Sequence, residues 1–237
     1  MRVVHVRAIA LAIGILGVGS TGAFAQDADR VIPGGGIHVA GWAGAIDASS
    51  TGQGRTINDA KFAQEGNQLH VTTGPAVTYW NLNNKAAGEY TVKATFTEPQ
   101  FMNLSGHPHP YGLFIGGNDL GTANQSLLYC AAYGNGTFIV RGFAPGTPRG
   151  TFQMNGRAGV PNPSVHKAAA TGQPVTQEIM WTVKGGKAEC SINGTVVGSY
   201  TTAEVVGPGK LKSLDGVYGL RFSHNVEATV AGLTATK

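Results

Sequence analysis

Residues 126–143 read SLLYCAAYGNGTFIVRGF, two apolar segments joined by a short glycine-rich link. The segments 126–133 and 137–143 have the length and the β-branched and aromatic residues that are typical of strands. The link Gly134-Asn135-Gly136 places glycine and asparagine where φ must become positive, which predicts the turn of a β-hairpin. This stretch therefore predicts two antiparallel strands that are neighbours in one sheet.

The same pattern recurs along the chain. Lys184-Gly185-Gly186 and Asn193-Gly194 predict two further hairpin turns. In EYTVKATF (89–96) apolar and polar residues alternate, which is typical of a half-buried antiparallel strand. The chain has 36 Gly and 11 Pro and only 13% charged residues, and amphipathic helical patterns are scarce. These features predict an all-β fold, a two-sheet antiparallel β-sandwich, in which one sheet presents a polar outer face to a ligand.

The N-terminus has the three parts of an export signal. MRVVHVR is a basic head, AIALAIGILGVG is an apolar run too short for a membrane span, and Ala23-Phe24-Ala25 offers small residues for cleavage. We therefore predict a signal peptide over 1–25, a flexible leader over 26–36 and a single β-sandwich domain over 37–237. The mature protein is expected in the periplasm or secreted, and not embedded in a membrane.

The charge of the chain argues against nucleic acid as a partner. The formal net charge of +4 falls to about +2 when Arg2 and Arg7 leave with the signal peptide. The remaining Lys and Arg residues are scattered along the chain, whereas nucleic-acid binding needs a basic patch.

Cys130 and Cys190 each replace an apolar residue in a strand-like segment. In an exported chain they can form a disulfide if their strands are neighbours with both side chains on one face. Otherwise both are small buried hydrophobic residues. The sequence leaves these alternatives open.

Residues 144–177 are rich in Gly, Pro and Asn and show little alternation. The segment predicts a long excursion over one sheet, and long ordered loops often carry function.

Six segments, in this order along the chain, resemble the exported concanavalin A-like jelly-roll domains. The segments are Tyr79-Trp80, EYTVKATF, YGLFIGG, LLYCAAYGNGTFIVRGF, AECSINGTVV and LDGVYGLRFSHNVEATVAGL. They are similar in particular to the bacterial 3-keto-disaccharide hydrolase family, a domain of unknown function, and the resemblance covers the chain from about Ile37 onward. It implies a role connected with saccharides, because the superfamily includes lectins, glycan-binding modules and glycoside-cleaving enzymes. The glucanase pattern E-x-D-x-x-E is absent from the sequence, so the resemblance transfers no catalytic residue.

The stretch GHPHPYGL (106–113) raises the question of a metal site. An extended strand would place His107 and His109 on one side. Pro108 and Pro110 favour polyproline geometry instead, in which positions i and i+2 diverge. Because no carboxylate lies at a tight spacing to complete a ligand set, the sequence favours a loop rim and predicts no metal and no cofactor.

The same loop suggests a sugar-binding edge. Aromatic rings with polar tips suit a saccharide, and a guanidinium can hold two hydroxyls or a carboxylate. The candidate ligand-binding residues are His109, Tyr111, Tyr129, Tyr133, Arg141, Arg221 and Trp80. For the two arginines, pairing with surface acids is the competing interpretation, and the tryptophans, which include Trp80, are more often core residues.

Acidic residues decide between binding and catalysis, because common glycoside hydrolysis needs two facing carboxyl groups. Glu98 and Asp119, which flank the histidine loop, are the two candidates, although the sequence favours the interpretation of both as turn carboxylates in solvent. His224-Asn225 is interpreted as a structural pair at the end of a strand. Three functions follow: a non-catalytic exported saccharide-binding or envelope-glycan-binding module, a glycoside hydrolase of the 3-keto-disaccharide hydrolase type, and a structural or protein-interaction domain. Two acids, or an acid beside His107 or His109, in one pocket would favour the hydrolase.

Overall fold

Two large sheets stack face to face in the computed structural model, which describes residues 29–104, 107–146, 150–156 and 158–237. The predicted signal peptide lies outside the described residues. Among them, every pairing of named strands is antiparallel apart from that of the two strands that begin at Gly36 and Ala60. The predicted all-β, two-sheet antiparallel jelly-roll sandwich is confirmed.

Strands are numbered in chain order. In spatial order, sheet A contains β1 (Gly36–Ile37), β3 (Ala60–Glu65), β4 (Gln68–Thr73), β18 (Glu227–Thr236), β6 (Tyr90–Glu98), β14 (Val175–Lys184), β15 (Lys187–Ile192) and β16 (Thr195–Thr201). Sheet B contains β12 (Thr151–Gln153), β11 (Thr137–Phe143), β10 (Ser126–Tyr133), β9 (Tyr111–Asn118), β17 (Gly216–Phe222), β5 (Val77–Ala86) and β2 (Trp42–Ile46), with β13 (Val160–Pro161) also paired to β11. A short ribbon joins β7 (Asn103–Leu104) and β8 (His107–Pro108).

Helix is confined to single turns in the described part of the chain. These are α1 (Ala48–Thr51), a 3₁₀ turn (Ile57–Asp59) and α2 (Thr202–Val205). No described helix has the length and apolar character that a bilayer crossing requires.

All three predicted hairpin turns are present. Residues 134–136 connect β10 to β11, and Gly136 has a φ of +88°. Gly185 and Gly186 connect β14 to β15 with φ values of +57° and +73°, and Asn193-Gly194 connects β15 to β16 with +50° and +80°. Two consecutive residues with positive φ form the turn whose twist matches that of paired strands.

The core lies between the inner faces of the two sheets. Trp181 of β14 is fully buried and donates its ring N–H to the carbonyl oxygen of Leu113 in the opposite sheet, at 3.2 Å. Cys130 of β10 and Cys190 of β15 form a disulfide with a Cα–Cα distance of 6.4 Å. Of the two alternatives for the cysteines the structure contains the disulfide, although its strands face one another across the core and are not neighbours in one sheet.

The outer faces of the two sheets differ. On sheet A the outer positions of β6, Thr91, Lys93, Thr95 and Thr97, are polar, as the alternation predicts. The outer face of sheet B instead carries a second buried apolar cluster, which includes Trp80, Phe114, Leu127, Tyr129 and Phe143. The expectation of a wholly polar ligand-binding sheet face is therefore wrong for sheet B, because aromatic and aliphatic residues occupy both phases of its central strands.

The segment 144–177 is only partly an excursion. Its first half returns to sheet B, where β12 and β13 pair side by side with β11 at the edge of the sheet. Its second half is held by the turn before β11, where the backbone N–H of Ala168 donates to the carbonyl oxygen of Gly134 at 2.8 Å.

Candidate functional site

The strand register of sheet B aligns side chains in rows across its outer face. One row contains Arg141, Tyr129, Phe114, Gly219 and Trp80 on five adjacent strands. The next row contains Ile139, Ala131, Gly112, Arg221 and Thr78. Small residues in the middle of the second row leave a depression, because Ala131 and Gly112 raise almost no side chain above the strands.

A cavity of about 300 Å³ lies over this depression. Ala131, Ile139 and Arg221 contribute to its floor, with Tyr129 and Arg141 on one side and Tyr133 on the other. The surrounding wall is formed by α1, β8 and the connecting segments around them, and its residues are Asp29, Asp47, Ser49, Ser50, Ala76, His107, Pro108, Pro110, Ala158, Ser223 and His224. A depression of about 650 Å³ beside Asn135 and His166 is larger, but its described lining has no Phe, Tyr or Trp ring and no carboxylate.

Arg221 is the fixed positive charge of the cavity. Its two terminal nitrogens each lie 2.6 Å from one oxygen of Asp47, and the guanidinium lies 5.0 Å from the ring centre of Phe143. Burial lowers the pKa of Arg221, but Asp47 and Tyr129 together more than offset this effect, so the net pKa is raised. The competing interpretation of Arg221, pairing with an acid, is confirmed. The bidentate ion pair with Asp47 orients the guanidinium beneath the ring of Tyr129.

Tyr129, Tyr133 and Arg141 share the outer face with Arg221. Tyr129 is 5% exposed, and burial raises its pKa although Arg221 and Arg141 lower it. Tyr133 is half-buried, and burial raises its pKa to about 12. Arg141 donates to Gln153 Oε1 at 3.2 Å. Both phenols are therefore neutral hydroxyls at physiological pH, able to donate and to accept hydrogen bonds.

Three of the predicted ligand-binding residues, His109, Tyr111 and Trp80, do not line the cavity, and two of them lie away from it. Tyr111 is fully buried in the core between the sheets, where its ring stacks on Phe96 at 5.7 Å. Trp80 lies on the outer face of sheet B but is only 6% exposed, within the second apolar cluster. Neither ring is presented to the cavity.

Three histidines converge beside the cavity. One nitrogen of each of His107, His109 and His224 lies within 4.8 Å of the corresponding nitrogens of the other two. The ring centres of His107 and His109 are 5.2 Å apart, and those of His109 and His224 are 4.3 Å apart. The predicted divergence of His107 and His109 is therefore wrong. His109 is 3% exposed, and it adjoins the cavity through its two neighbouring histidines.

The turn between β17 and β18 positions His224. Asn225 has a φ of +55°, and its side-chain oxygen accepts a hydrogen bond from the backbone N–H of Arg30 at 2.9 Å. The backbone N–H of Ser223 donates to the carbonyl oxygen of Pro110 at 2.9 Å, which ties this turn to the histidine loop. The interpretation of His224-Asn225 as a structural pair holds for Asn225, whereas His224 joins the site.

Two carboxylates line the same cavity. Asp29 Oδ1 lies 3.2 Å from His224 Nδ1, and Asp29 Oδ2 accepts a hydrogen bond from Ser50 at 2.9 Å. Asp47 is the second and is held by Arg221. Glu98 and Asp119, the acids that the sequence suggested, do not form a pair. Glu98 is buried near Gly134 and Asp119 forms an ion pair with Lys212, close to opposite ends of β9.

Comparison with known proteins identifies the fold. No family model matches the chain, and no curated protein matches it. Among solved structures, a family 16 glycoside hydrolase from Bacteroides ovatus in complex with its G4G4G3G product superposes with a TM-score of 0.54 at 10% identity, over 86% of this chain and 98% of that one. An endo-β-1,3-glucanase from Pyrococcus furiosus gives 0.48 at 11% identity over 84% and 88%, and the carbohydrate-binding module CBM66 from Bacillus subtilis gives 0.44 at 9% over 83% and 96%. The fold is the concanavalin A-like jelly roll, and the narrower resemblance to the 3-keto-disaccharide hydrolases stays a prediction.

Proposed function

We propose that this chain is an exported protein that binds a saccharide in the cavity on sheet B, in the periplasm or outside the cell. The observation that carries the proposal is the convergence of Tyr129, Tyr133 and Arg141 around a floor to which Ala131, Ile139 and Arg221 contribute. The export signal in residues 1–25 supports the location.

The chemistry of the lining suits a sugar ring. Saccharides have apolar C–H faces and a rim of hydroxyls, so they need flat apolar surface together with groups that donate and accept hydrogen bonds. Ala131 and Ile139 supply apolar surface, and the neutral phenols of Tyr129 and Tyr133 supply both kinds of polar contact. Arg141 adds a planar donor that can hold two neighbouring hydroxyls.

The dimensions favour a short ligand. Tyr129 and Tyr133 are four residues apart on one strand, so their Cα atoms are separated by about 13 Å. The cavity volume of about 300 Å³ is at the lower end of the range for small-molecule sites. The site therefore accommodates one or two sugar residues and not a long chain.

Truncation of the aromatic and cationic side chains should reduce glycan binding. We expect Tyr133→Ala and Arg141→Ala each to weaken binding by about 5- to 30-fold, since loss of one good contact to a charged or aromatic group costs roughly 1–2 kcal/mol. The measurement is a glycan array, followed by calorimetric titration of the best ligand into each variant.

Tyr200→Ala and Lys93→Ala provide matched controls, because both residues lie on sheet A, remote from the cavity. These two variants should bind like the wild type. If both Tyr133→Ala and Arg141→Ala bind the glycan with the affinity of the wild type, the cavity is not the saccharide-binding site.

A second candidate function, glycoside hydrolysis, is favoured by one observation: Asp29 and Asp47 line the same cavity, and Asp29 lies beside the histidine cluster. Two carboxyl groups across a sugar are what the common mechanism requires. If the protein hydrolyses its ligand, Asp29→Asn should abolish the formation of reducing sugar, whereas binding of the ligand should persist. A wild-type protein that binds glycan and releases no reducing sugar during prolonged incubation would exclude this function and leave the binding proposal intact.

A further inference from the structure

The cluster of His107, His109 and His224 has the composition of a metal site. Three imidazole nitrogens within 4.8 Å of one another, contributed by the segment 107–109 and the turn between β17 and β18, can surround a single ion. Imidazole is a ligand of zinc, copper, nickel and iron, whereas calcium and magnesium prefer oxygen. The chemistry of the donors therefore indicates a transition-metal ion.

The distances are close to those that coordination requires. With Zn–N bonds of about 2.0–2.1 Å in tetrahedral geometry, ligand nitrogens are separated by about 3.3 Å. Movements of about 1 Å or less in each ring would bring nitrogens now within 4.8 Å to that separation. His107 is exposed and has the freedom to make such a movement, so the backbone can stay where it is.

The surroundings of His224 favour a defined orientation of its ring. Asp29 Oδ1 lies 3.2 Å from Nδ1, and Asp29 itself is held by Ser50. A carboxylate beside one nitrogen of a histidine favours metal binding by the other nitrogen and makes it more basic. Thr73 accepts a hydrogen bond from the backbone N–H of Val226 at 2.8 Å and donates to the carbonyl oxygen of Ser223 at 2.7 Å, so the His224 turn is fixed on both sides.

We propose that His107, His109 and His224 bind one divalent transition-metal ion of the zinc class. Sites with three protein ligands keep a fourth position open for water or substrate. His107 and His224 both line the cavity, so the open position faces it, and a hydroxyl or carboxylate of a bound ligand would reach the ion from that side. The proposal stands independently of the saccharide proposal, because it concerns the metal alone.

The test is titration of zinc sulfate into protein that carries no histidine tag and has been dialysed against a chelator, with no glycan present. The wild type should take up one ion per chain, as measured by calorimetry and elemental analysis. His107→Ala should lose affinity by at least about 100-fold, and Asp29→Asn by about 10- to 100-fold, the range for residues that orient a ligand. Zinc should also raise the melting temperature of the wild type, since an ion bound only by the folded state stabilises it.

His107 is the first choice for substitution because it is exposed, whereas His109 and His224 are buried; circular dichroism verifies that the variant is folded. His70→Ala is the matched control, since His70 lies between Glu65 and Glu227 on sheet A and could attract zinc by itself. That variant should bind the ion of the proposed site like the wild type. A wild type that takes up no stoichiometric zinc, or a folded His107→Ala that binds zinc as tightly as the wild type, would overturn the proposal.

Discussion

Glu98, the last residue of β6, is a carboxyl group placed inside the protein. It is 3% exposed, and its Oε1 accepts a hydrogen bond from the backbone N–H of Met102 at 3.1 Å. Among the described residues its Oε2 has no hydrogen-bond partner. Burial raises the pKa of Glu98 to about 7, and the hydrogen bond from Met102 opposes this only in part. The acid that the sequence suggested for catalysis is thus a buried group that favours its neutral form.

This pKa predicts a pH dependence of stability. Between about pH 4.5 and pH 7 the folded state retains a proton that the unfolded state has released, so the free energy of unfolding falls as the pH rises through this window. The contribution is about 3 kcal/mol at most. Glu98→Gln removes it, and the variant should gain stability relative to the wild type between pH 5 and pH 8, as measured by urea denaturation. Parallel pH profiles of the two proteins would contradict the assignment.

The sequence predicted which side chains share one face of a strand. It did not predict which residues that are far apart along the chain meet in the folded protein. Period-two alternation places Tyr129, Tyr133 and Arg141 on one face, and the structure agrees. The same alternation in YGLFIGG puts Tyr111 in phase with the inward Leu113, so its burial could have been read from the sequence. His224 and Asp29 carry no such signal, because only tertiary folding brings His224 to His109 and Asp29 to His224.

The pairing of β9 with β10 depends on the absence of a side chain at position 112. A Cβ atom at Gly112 would lie 1.9 Å from the carbonyl oxygen of Cys130, which is backbone and cannot turn aside. This glycine also belongs to the row beneath the cavity. The two strands therefore approach one another closely at the floor of the site.

Gly112→Ala should separate these strands and destabilise the fold by roughly 1–3 kcal/mol, the range for overpacked interiors. Gly52→Ala is the matched control: Gly52 is helical, with a φ of −61°, and a Cβ there would meet no atom closer than 3.5 Å. The control should leave stability unchanged or slightly higher. Chemical denaturation measures both variants, and equal stability of Gly112→Ala and the wild type would show that the strands adjust without cost.

At the scale of elements, the hairpins followed from local chemistry because their turns are encoded by two or three adjacent residues. The edge strands β12 and β13 did not, since each has only two or three residues and is held by backbone bonds to β11. The apolar outer face of sheet B was also missed. Strands such as SLLYCAAY are apolar in both phases, and this pattern does not distinguish a buried outer face from a core.

The disulfide links the two sheets of the whole molecule. Cys130 and Cys190 are 60 residues apart in sequence and are both fully buried. A cross-link between residues this far apart lowers the conformational entropy of the unfolded chain. By the loop-entropy relation this stabilises the folded state by about 4 kcal/mol.

The double variant Cys130→Ala, Cys190→Ala should therefore lose several kcal/mol, about 4 from the cross-link alone. Its stability is measured by denaturant unfolding beside that of the wild type with and without a reducing agent. Reduced wild type should approach the double variant. If neither reduction nor substitution lowers the midpoint of unfolding, the bond contributes nothing to the fold.

The strand that comes last along the chain, β18, occupies the middle of sheet A, between β4 and β6. Each neighbour has only one of its two partner strands until residues 227–236 have left the ribosome, so sheet A stays divided into two parts until then. Until then β4 and β6 present bare edges to other nascent copies. A chaperone that shields those edges until β18 has emerged would therefore increase the yield of folded protein.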